Sequence, residues 1–368
     1  MIISVYQPSL TGNEKKYVND CIDTSWISSK GKYNDLFSER FAGYIGVNYA
    51  TTVANGTLAL HLALMALGIG KGDEVIVPSF TYIASANAVK YTSAEVVFAD
   101  SVKDSWQIDP EDIEKRITSK TKAIMPVHLY GHPCEMDRIM EIAKKHRLFV
   151  IEDCAEAIGS EYKGQKVGSF GDIAAFSFFG NKTITCGEGG MVLTNNKTLY
   201  ERAMHIKSQG LADHREYWHD IIGYNYRMTN IAAAIGLAQL EQIDKFIDRK
   251  IEISEIYKKE LIGLPIKVHQ STGDVKHTYW MVSISCNNLD DRECLRGYLK
   301  EKGVETRPTF YPVHTMPMYD DKYQSLPVAE ELGWSGMNLP SYPGLKDEEV
   351  KYVCDSIKEY FARVNLHD

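Results

Sequence analysis

Residues 171–192 read GDIAAFSFFGNKTITCGEGGMV, and this stretch sets the frame for the whole chain. An apolar, β-prone run from Ile173 to Phe179 stops at Gly180-Asn181. A single cation, Lys182, follows. After a small polar run comes the cluster Gly187-Glu188-Gly189-Gly190, and a second apolar run, Met191 to Leu193, begins at once. The pattern predicts two buried strands joined by a short loop that holds one lysine close to a hydroxyl, Ser177. Burial disfavours the charged form of a lysine. A lysine with a free amine is a nucleophile that condenses with aldehydes. An ordinary loop lysine reaching water is the competing account, and the flanking strands and glycines weigh against it.

Outward from this stretch, the chain is that of an ordinary globular protein. Its 368 residues are 44% hydrophobic and 24% charged, enough for a sizeable core and two domains. The expected division is a large domain over 1–245 and a smaller one over 246–368. A net charge of −8, with Lys and Glu interspersed as in 252–260, argues against a nucleic-acid surface. No apolar run approaches the roughly 20 residues that span a bilayer. The opening MIISVYQPSLTGNEKK lacks a basic segment followed by an apolar one, so no signal peptide is expected. Seven cysteines without CxxC spacing read as reduced thiols in a cytoplasmic protein, with no metal site.

Amphipathic helices are expected over 12–24 and 34–44. From residue 49, strands (49–54, 74–77, 96–99, 123–127, 148–151) alternate with helices (58–67, 81–91, 110 onward, 135–146), Thr81 capping the second of these. Asp109-Pro110 reads as an N-cap followed by proline at the first helical position. This alternation predicts an α/β domain with a mostly parallel sheet. Beyond it, a helix over 230–247 capped by Thr229 continues to 261. A strand over 277–285, a helix over 291–302, a strand from 305 and a last helix over 347–363 then make an α+β lobe.

Three further places carry chemistry. Asn55-Gly56-Thr57 sits at a strand-to-helix turn, where free backbone N–H groups can hold an anion; a plain helix cap is the alternative. Neither GxxxxGK[ST] nor GxGxxG after a strand is present, which disfavours a nicotinamide-linked dehydrogenase. Ile151-Glu152-Asp153-Cys154-Ala155-Glu156 puts carboxylates at the C-terminal edge of the sheet, where ligands bind in open α/β folds. A carboxylate there would keep a heteroaromatic nitrogen protonated; acids at a helix N-terminus are the alternative. Tyr82, after the strand at 74–77, can stack on a flat ligand or pack in the core. Together the signals describe a planar ligand with a phosphate, a basic ring nitrogen and an aldehyde, which is pyridoxal phosphate.

The stretches SFFGNKTITCGEGGMV, ATTVANGTLALHLAL, GDEVIVPSFTYIAS, VHLYGHPCEMD, FVIEDCAEAIGS and YWHDIIGYNYRMTNIAAAIGLAQLE resemble the DegT/DnrJ/EryC1/StrS family of pyridoxal-phosphate sugar aminotransferases. The resemblance implies the aspartate-aminotransferase fold of fold-type I enzymes. It implies that Lys182 binds the cofactor aldehyde, that Asp153 pairs with the pyridine nitrogen and that Glu156 lies near the ring hydroxyl. Tyr82 would stack on the ring, and Gly56, Thr57 and Ser177 would contact the phosphate. Asn225 would reach the phosphate from a second subunit, making a homodimer with shared sites. Ala54 and Cys186 depart from the family pattern without touching this chemistry. Lys182, where a dehydratase branch of the family has histidine, favours transamination.

EDCAEA, YWHD and YNYRMTN most resemble the branch of this family that acts on a GDP-linked sugar, which implies the following reaction. The amine of L-glutamate would pass, through the pyridoxamine phosphate form, to C4 of GDP-4-keto-6-deoxy-D-mannose. The products would be 2-oxoglutarate and GDP-perosamine for O-antigen lipopolysaccharide. A UDP- or dTDP-linked keto sugar, or a non-catalytic regulatory member of the family, are the alternatives. The resemblance implies that Arg307, Tyr311 and His314 in RPTFYPVHTMP face the substrate; Arg307 suits a phosphate or carboxylate clamp, and for His314 a backbone-bonded loop histidine is the alternative. Trp26 and Ser28, in the polar loop 26–31, are read as a ligand-facing wall or a surface anchor.

Overall fold

The computed structural model describes residues 2–320 and 324–364. Residues 321–323 and 365–368 of the expected smaller domain lie outside the described residues. A seven-stranded sheet runs in the order Tyr49–Val53, Gly190–Thr194, Ile173–Ser177, Phe149–Asp153, Thr121–Ile124, Glu74–Pro78, Glu95–Ala99. The last five of these strands are mutually parallel, and the Gly190–Thr194 strand pairs antiparallel on both sides. Strand alternation divides the side chains between two faces. Val75, Val77, Ile173, Ala175 and Val192 pack on one face with the helices Gly56–Leu67 and Lys197–Lys207. Ile76, Ile124 and Val150 pack on the other with Met136–His146. Phe176, Met191 and Leu193 meet Lys32–Ile45 and Asn230–Leu240 there.

Local chemistry sets most boundaries. Asn55 caps the helix Gly56–Leu67, its Oδ1 accepting from Leu58 N–H at 3.0 Å, and Gly68 ends it in the left-handed region at φ 79°. Asp109 caps as expected, with Pro110 at the helix start. Thr229 caps Asn230–Leu240 through Ala232 N–H at 3.2 Å. Thr81 does not cap: the helix starts later, at Ala84, and the Thr81 hydroxyl instead lies 3.4 Å from Ser85 Oγ.

The second lobe holds a four-stranded antiparallel sheet (Lys267–Val268, Val282–Ser285, Gly336–Leu339, Arg307–Pro308) under the helices Leu289–Glu301 and Asp347–Val364. The helix Ile243–Glu260 runs through the expected 245/246 division: Phe246 and Ile247 pack in the core of the large lobe, Ile253 and Tyr257 in that of the small one. Ile3 also belongs to the small-lobe core, bonded across to Gly303 and Glu305. The expected strand over 277–285 is broken. Val275–Lys276 and Val282–Ser285 join different sheets, because Tyr279 turns the chain at φ 48°.

Where the lobes meet, His132, His269 and His277 are buried together with Trp106 and Tyr279. Hydrogen bonds fix each tautomer. His132 Nδ1–H donates to Pro133 O at 2.7 Å, while its Nε2 accepts from Thr272 N–H at 3.1 Å. His269 Nε2–H donates to Ser105 O at 2.9 Å, and its Nδ1 accepts from His277 Nε2–H at 3.4 Å. Burial pushes His132 down to about 4 and His269 to about 3, and holds His277 well below its ordinary value. In the unfolded chain each would titrate near ~6.5. Between that pH and the folded values the unfolded chain binds more protons. The histidine contribution to stability therefore falls as pH drops below ~6.5, by up to about 1.4 kcal/mol per pH unit for each histidine, and is flat above it. Urea unfolding at pH 5.5 and 7.5 measures this, with a lower midpoint expected at pH 5.5 and a shallower dependence in His132→Asn.

Candidate active site

The strands Glu74–Pro78, Phe149–Asp153 and Ile173–Ser177 end on the same edge of the sheet, and a cavity of about 600 Å³ opens there. Its lining includes Gly56, Thr57, Tyr82, Asp153, Glu156, Ser177, Lys182 and Arg307, so eight residues singled out from sequence meet in one place. The chain also brings Ser85, Asn181, Trp280 and Phe310 to it.

Lys182 follows the strand Ile173–Ser177 on a tight loop, its N–H bonded to Phe179 O at 2.9 Å. Its side chain is 11% exposed, with Nζ 3.3 Å from Glu156 Oε1 and 3.8 Å from the centre of the Trp280 ring. The Tyr6 hydroxyl donates to its carbonyl oxygen. Glu156 is held in turn by Tyr130 N–H, 3.0 Å from Oε2. Burial pushes the Glu156 carboxyl up, and the Lys182 charge opposes that.

Asp153 ends its strand facing the cavity. Ser85 Oγ–H donates to Oδ2 at 2.8 Å and Ala155 N–H to Oδ1 at 3.1 Å. Burial raises its carboxyl above the ordinary range, against the Ser85 hydrogen bond and the Lys182 charge. A buried carboxyl bordering an open cavity is the partner a protonated ring nitrogen needs, because the added cation offsets the cost of burial.

Glu152, one residue earlier, points to the opposite face. Its oxygens accept from Gly168, Phe170 and Gly171 N–H at 2.7–2.8 Å and lie 3.1 Å from His128 Nε2. His128, Glu152 and Cys154 are close enough to share an ion among the described residues. However, His128 Nδ1 already accepts from Cys134 N–H at 3.0 Å, and Glu152 is saturated by donors. This set is a brace under the Asp153 strand.

At the other end of the cavity, Gly56 opens the helix Gly56–Leu67 against Ser177. A Cβ on Gly56 would stand 2.6 Å from Ser177 Cβ and 2.9 Å from Oγ, so only glycine lets the hydroxyl and the helix N-terminus approach so closely. Thr57 completes an anion cradle at a helix start. Cradle, buried acid and lysine suit the phosphate, ring nitrogen and aldehyde of pyridoxal phosphate. Gly56→Ala is expected to weaken cofactor binding about tenfold by crowding Ser177, as overpacking commonly costs about 1–3 kcal/mol; cofactor titration followed by absorbance checks it.

The remaining expectations divide. Tyr82 is half exposed at the cavity, its ring 5.5 Å from that of Phe310. Arg307 lies at the rim, its guanidinium 3.5 Å from Glu305. His314 is not at the cavity. It is buried, with Nδ1 2.6 Å from Ser79 Oγ and Nε2 3.2 Å from Glu330, so its partners are side chains and not the backbone. Tyr311 packs on Trp334 and receives Arg292 Nη2 at 3.3 Å, also away from the cavity. Trp26 and Ser28 are exposed outside this chain's cavity, their carbonyls taking Asn230 Nδ2 and N–H at 2.7 and 2.6 Å. Asn225 is exposed as well, bonded to Arg227 Nε at 2.9 Å. Trp280 was hidden from sequence reasoning by the continuous strand expected over 277–285. Ser85 carried no signal beyond its place one helical turn after Thr81.

The model of the DegT/DnrJ/EryC1/StrS aminotransferase family matches residues 8–358. The chain is 65% identical over 360 residues to the GDP-perosamine synthase of Escherichia coli O157:H7, covering 98% of this chain and 99% of that one. It is 50% identical over 364 residues to the GDP-perosamine synthase of Vibrio cholerae, covering 98% and 99%. A solved Streptococcus pneumoniae protein in its PLP form is 28% identical, with a TM-score of 0.93 over 98% of each chain. With Lys182, Asp153 and Gly56 gathered at one sheet edge and the family match spanning nearly the whole chain, the chain belongs to the DegT/DnrJ/EryC1/StrS aminotransferase family.

Proposed function

We propose that this protein transfers the amino group of L-glutamate to C4 of GDP-4-keto-6-deoxy-D-mannose, forming GDP-perosamine and 2-oxoglutarate for O-antigen polysaccharide. The observation that carries the reaction class is the opening of Lys182 and Asp153 onto one cavity beside a glycine-built anion cradle. The sugar and the nucleotide follow from the names of the two full-length relatives. Pyridoxal phosphate, when bound, supplies an aldehyde carbon that carries the amine and a ring that draws electron density from the reacting carbon.

The chain's own residues do the rest. Asp153 keeps a proton on the ring nitrogen, with Ser85 and Ala155 fixing its orientation. Gly56, Thr57 and Ser177 hold the phosphate. Lys182 Nζ removes the α-proton of glutamate and, in the second half of the reaction, delivers a proton to sugar C4; such transfers typically give about 10²–10⁴-fold. Glu156, 3.3 Å from Nζ, stabilises the ammonium between these steps. Arg307 at the rim takes an anionic group of the incoming substrate.

The working unit is a homodimer in the cytoplasm. The loop 208–228 exposes Tyr217 (93%) and Ile222 (88%), apolar surface suited to burial against a second copy. Asn225 on that loop, which does not line its own chain's cavity, reaches the partner's phosphate cradle. Co-expressed Lys182→Ala and Asn225→Ala chains are expected to regain activity through hybrid dimers that hold one intact site, while each variant alone is inactive or weak. An absence of rescue, with a dimer present by sedimentation, would remove the shared site. For the substrate, the test is incubation with L-glutamate and GDP-, UDP- and dTDP-linked 4-keto sugars, with products identified by mass. An amine appearing only on a UDP- or dTDP-linked sugar would overturn the GDP assignment.

A further inference from the structure

The small lobe sends one large side chain into the heart of the cavity. Trp280 is buried, and it grips the lysine loop twice. Its Nε1–H donates to Asn181 O at 2.7 Å, and its ring face lies 3.8 Å from Lys182 Nζ. The second distance is well inside the roughly 6 Å over which an aromatic face attracts a cation.

The placement of this indole is over-determined. Tyr279, immediately before it, sits at φ 48°, a costly backbone conformation for an aromatic residue. Tyr279 is pinned there from three sides: its hydroxyl by Lys258 Nζ at 2.6 Å and Ser271 Oγ at 3.2 Å, its ring by stacking on His277 at 3.6 Å, and its N–H by His277 Nδ1 at 3.0 Å. Gly131 lets the turn come close, since a Cβ there would stand 2.8 Å from Tyr279 N and 2.9 Å from Trp280 N. Tyr130 and Phe310 lie nearly parallel to the indole, at 10° and 20°, with ring centres 5.9 and 6.2 Å away. The backbone N–H of Tyr130 is the donor that holds Glu156, so the residue stacked on the indole also anchors the carboxylate beside Lys182.

From this geometry we infer that Trp280 is a positioning residue for Lys182. It confines the free amine to the arc between Glu156 and the cavity and receives the ammonium while it carries the transferred proton. The inference rests on the reading of Lys182 as the cofactor-bearing base. Its signature is a loss in the proton-transfer step with substrate binding intact, because the geometry of the base changes and the rest of the cavity does not.

The test uses the reconstituted holoenzyme and two variants, Trp280→Leu and Trp280→Phe. Single-turnover decay of the visible cofactor band is followed with L-glutamate and with its α-deuterated form. For Trp280→Leu, kcat is expected to fall about 10²-fold, as misplacing a reacting group by about 1 Å can do, with KM for glutamate within about threefold of wild type. The α-deuterium isotope effect on kcat is expected to rise, as proton transfer becomes more rate-limiting. Trp280→Phe keeps a ring without the N–H and is expected to lose about tenfold, with the same change in isotope effect. In the cofactor-free protein, labelling of Lys182 by an amine-reactive probe, read by peptide mass, should run severalfold faster in both variants. An unchanged isotope effect and labelling rate in Trp280→Phe would overturn the inference, as would a loss confined to KM or to cofactor retention. A wild-type protein without the visible band would overturn the cofactor reading itself.

Discussion

Lys182→Ala is expected to lower kcat by at least about 10⁴-fold, because it removes the side chain proposed as both nucleophile and general base. The variant should still fold. Lys182 contributes one partly exposed ion pair to the cavity wall, and its partner Glu156 keeps its bond from Tyr130 N–H. Without the cation, burial favours the neutral form of Glu156, which spares the protein an unpaired buried charge. The unfolding temperature should therefore shift by only about 2–4 °C, the size of a 1 kcal/mol change in a large domain. Two measurements decide it: turnover of the keto sugar in the presence of glutamate, and the visible band before and after borohydride. Wild-type turnover in this variant would remove the proposed chemistry, since no other lysine lines the cavity among the described residues.

Asp153→Asn should lose about 10²–10⁴-fold in kcat. That range corresponds to the roughly 3–5 kcal/mol commonly lost when one partner of a buried ion pair is removed. The amide fits the space: its oxygen can accept from Ala155 N–H, and its NH2 can donate to Ser85 Oγ once that hydroxyl turns to accept. What it cannot do is hold a proton on a ring nitrogen, because it carries no charge. The loss should fall on kcat more than on KM, since the charge acts on electron demand in the transition state and not on substrate contacts. The band position of the bound cofactor should change as well. A variant with normal kcat would show that this carboxylate does not govern the ring.

Much of the site was legible along the chain because it is local. Lys182 and Ser177 sit within one strand–loop–strand unit, Gly56-Thr57 at one strand-to-helix turn, and Asp153 and Glu156 within one turn of each other. In each case residue type and hydrophobic period place the group at the C-terminal edge of the sheet. Arg307 was also anticipated, but its neighbours Tyr311 and His314 were not separable from it by sequence. A proline-rich loop has no period to say which side chains face inward. The structure turns His314 toward Ser79 and Glu330 and Tyr311 toward Arg292.

By itself, the sequence determined the α/β class, the positions of the strands in the large lobe, the helix caps at Asp109 and Thr229, and the gathering of Lys182, Asp153 and Gly56-Thr57 at one sheet edge. Each of these depends on interactions within about a dozen residues. Tertiary structure alone decided what surrounds them. Tyr6, Trp280 and Phe310 come from both ends of the chain to enclose Lys182 and Tyr82. The turn at Tyr279 that aims the indole is held by Lys258, Ser271 and His277. A left-handed aromatic residue is unfavourable on its own, so no local pattern announces it. Only the combined contacts of two packed lobes make that conformation the stable one.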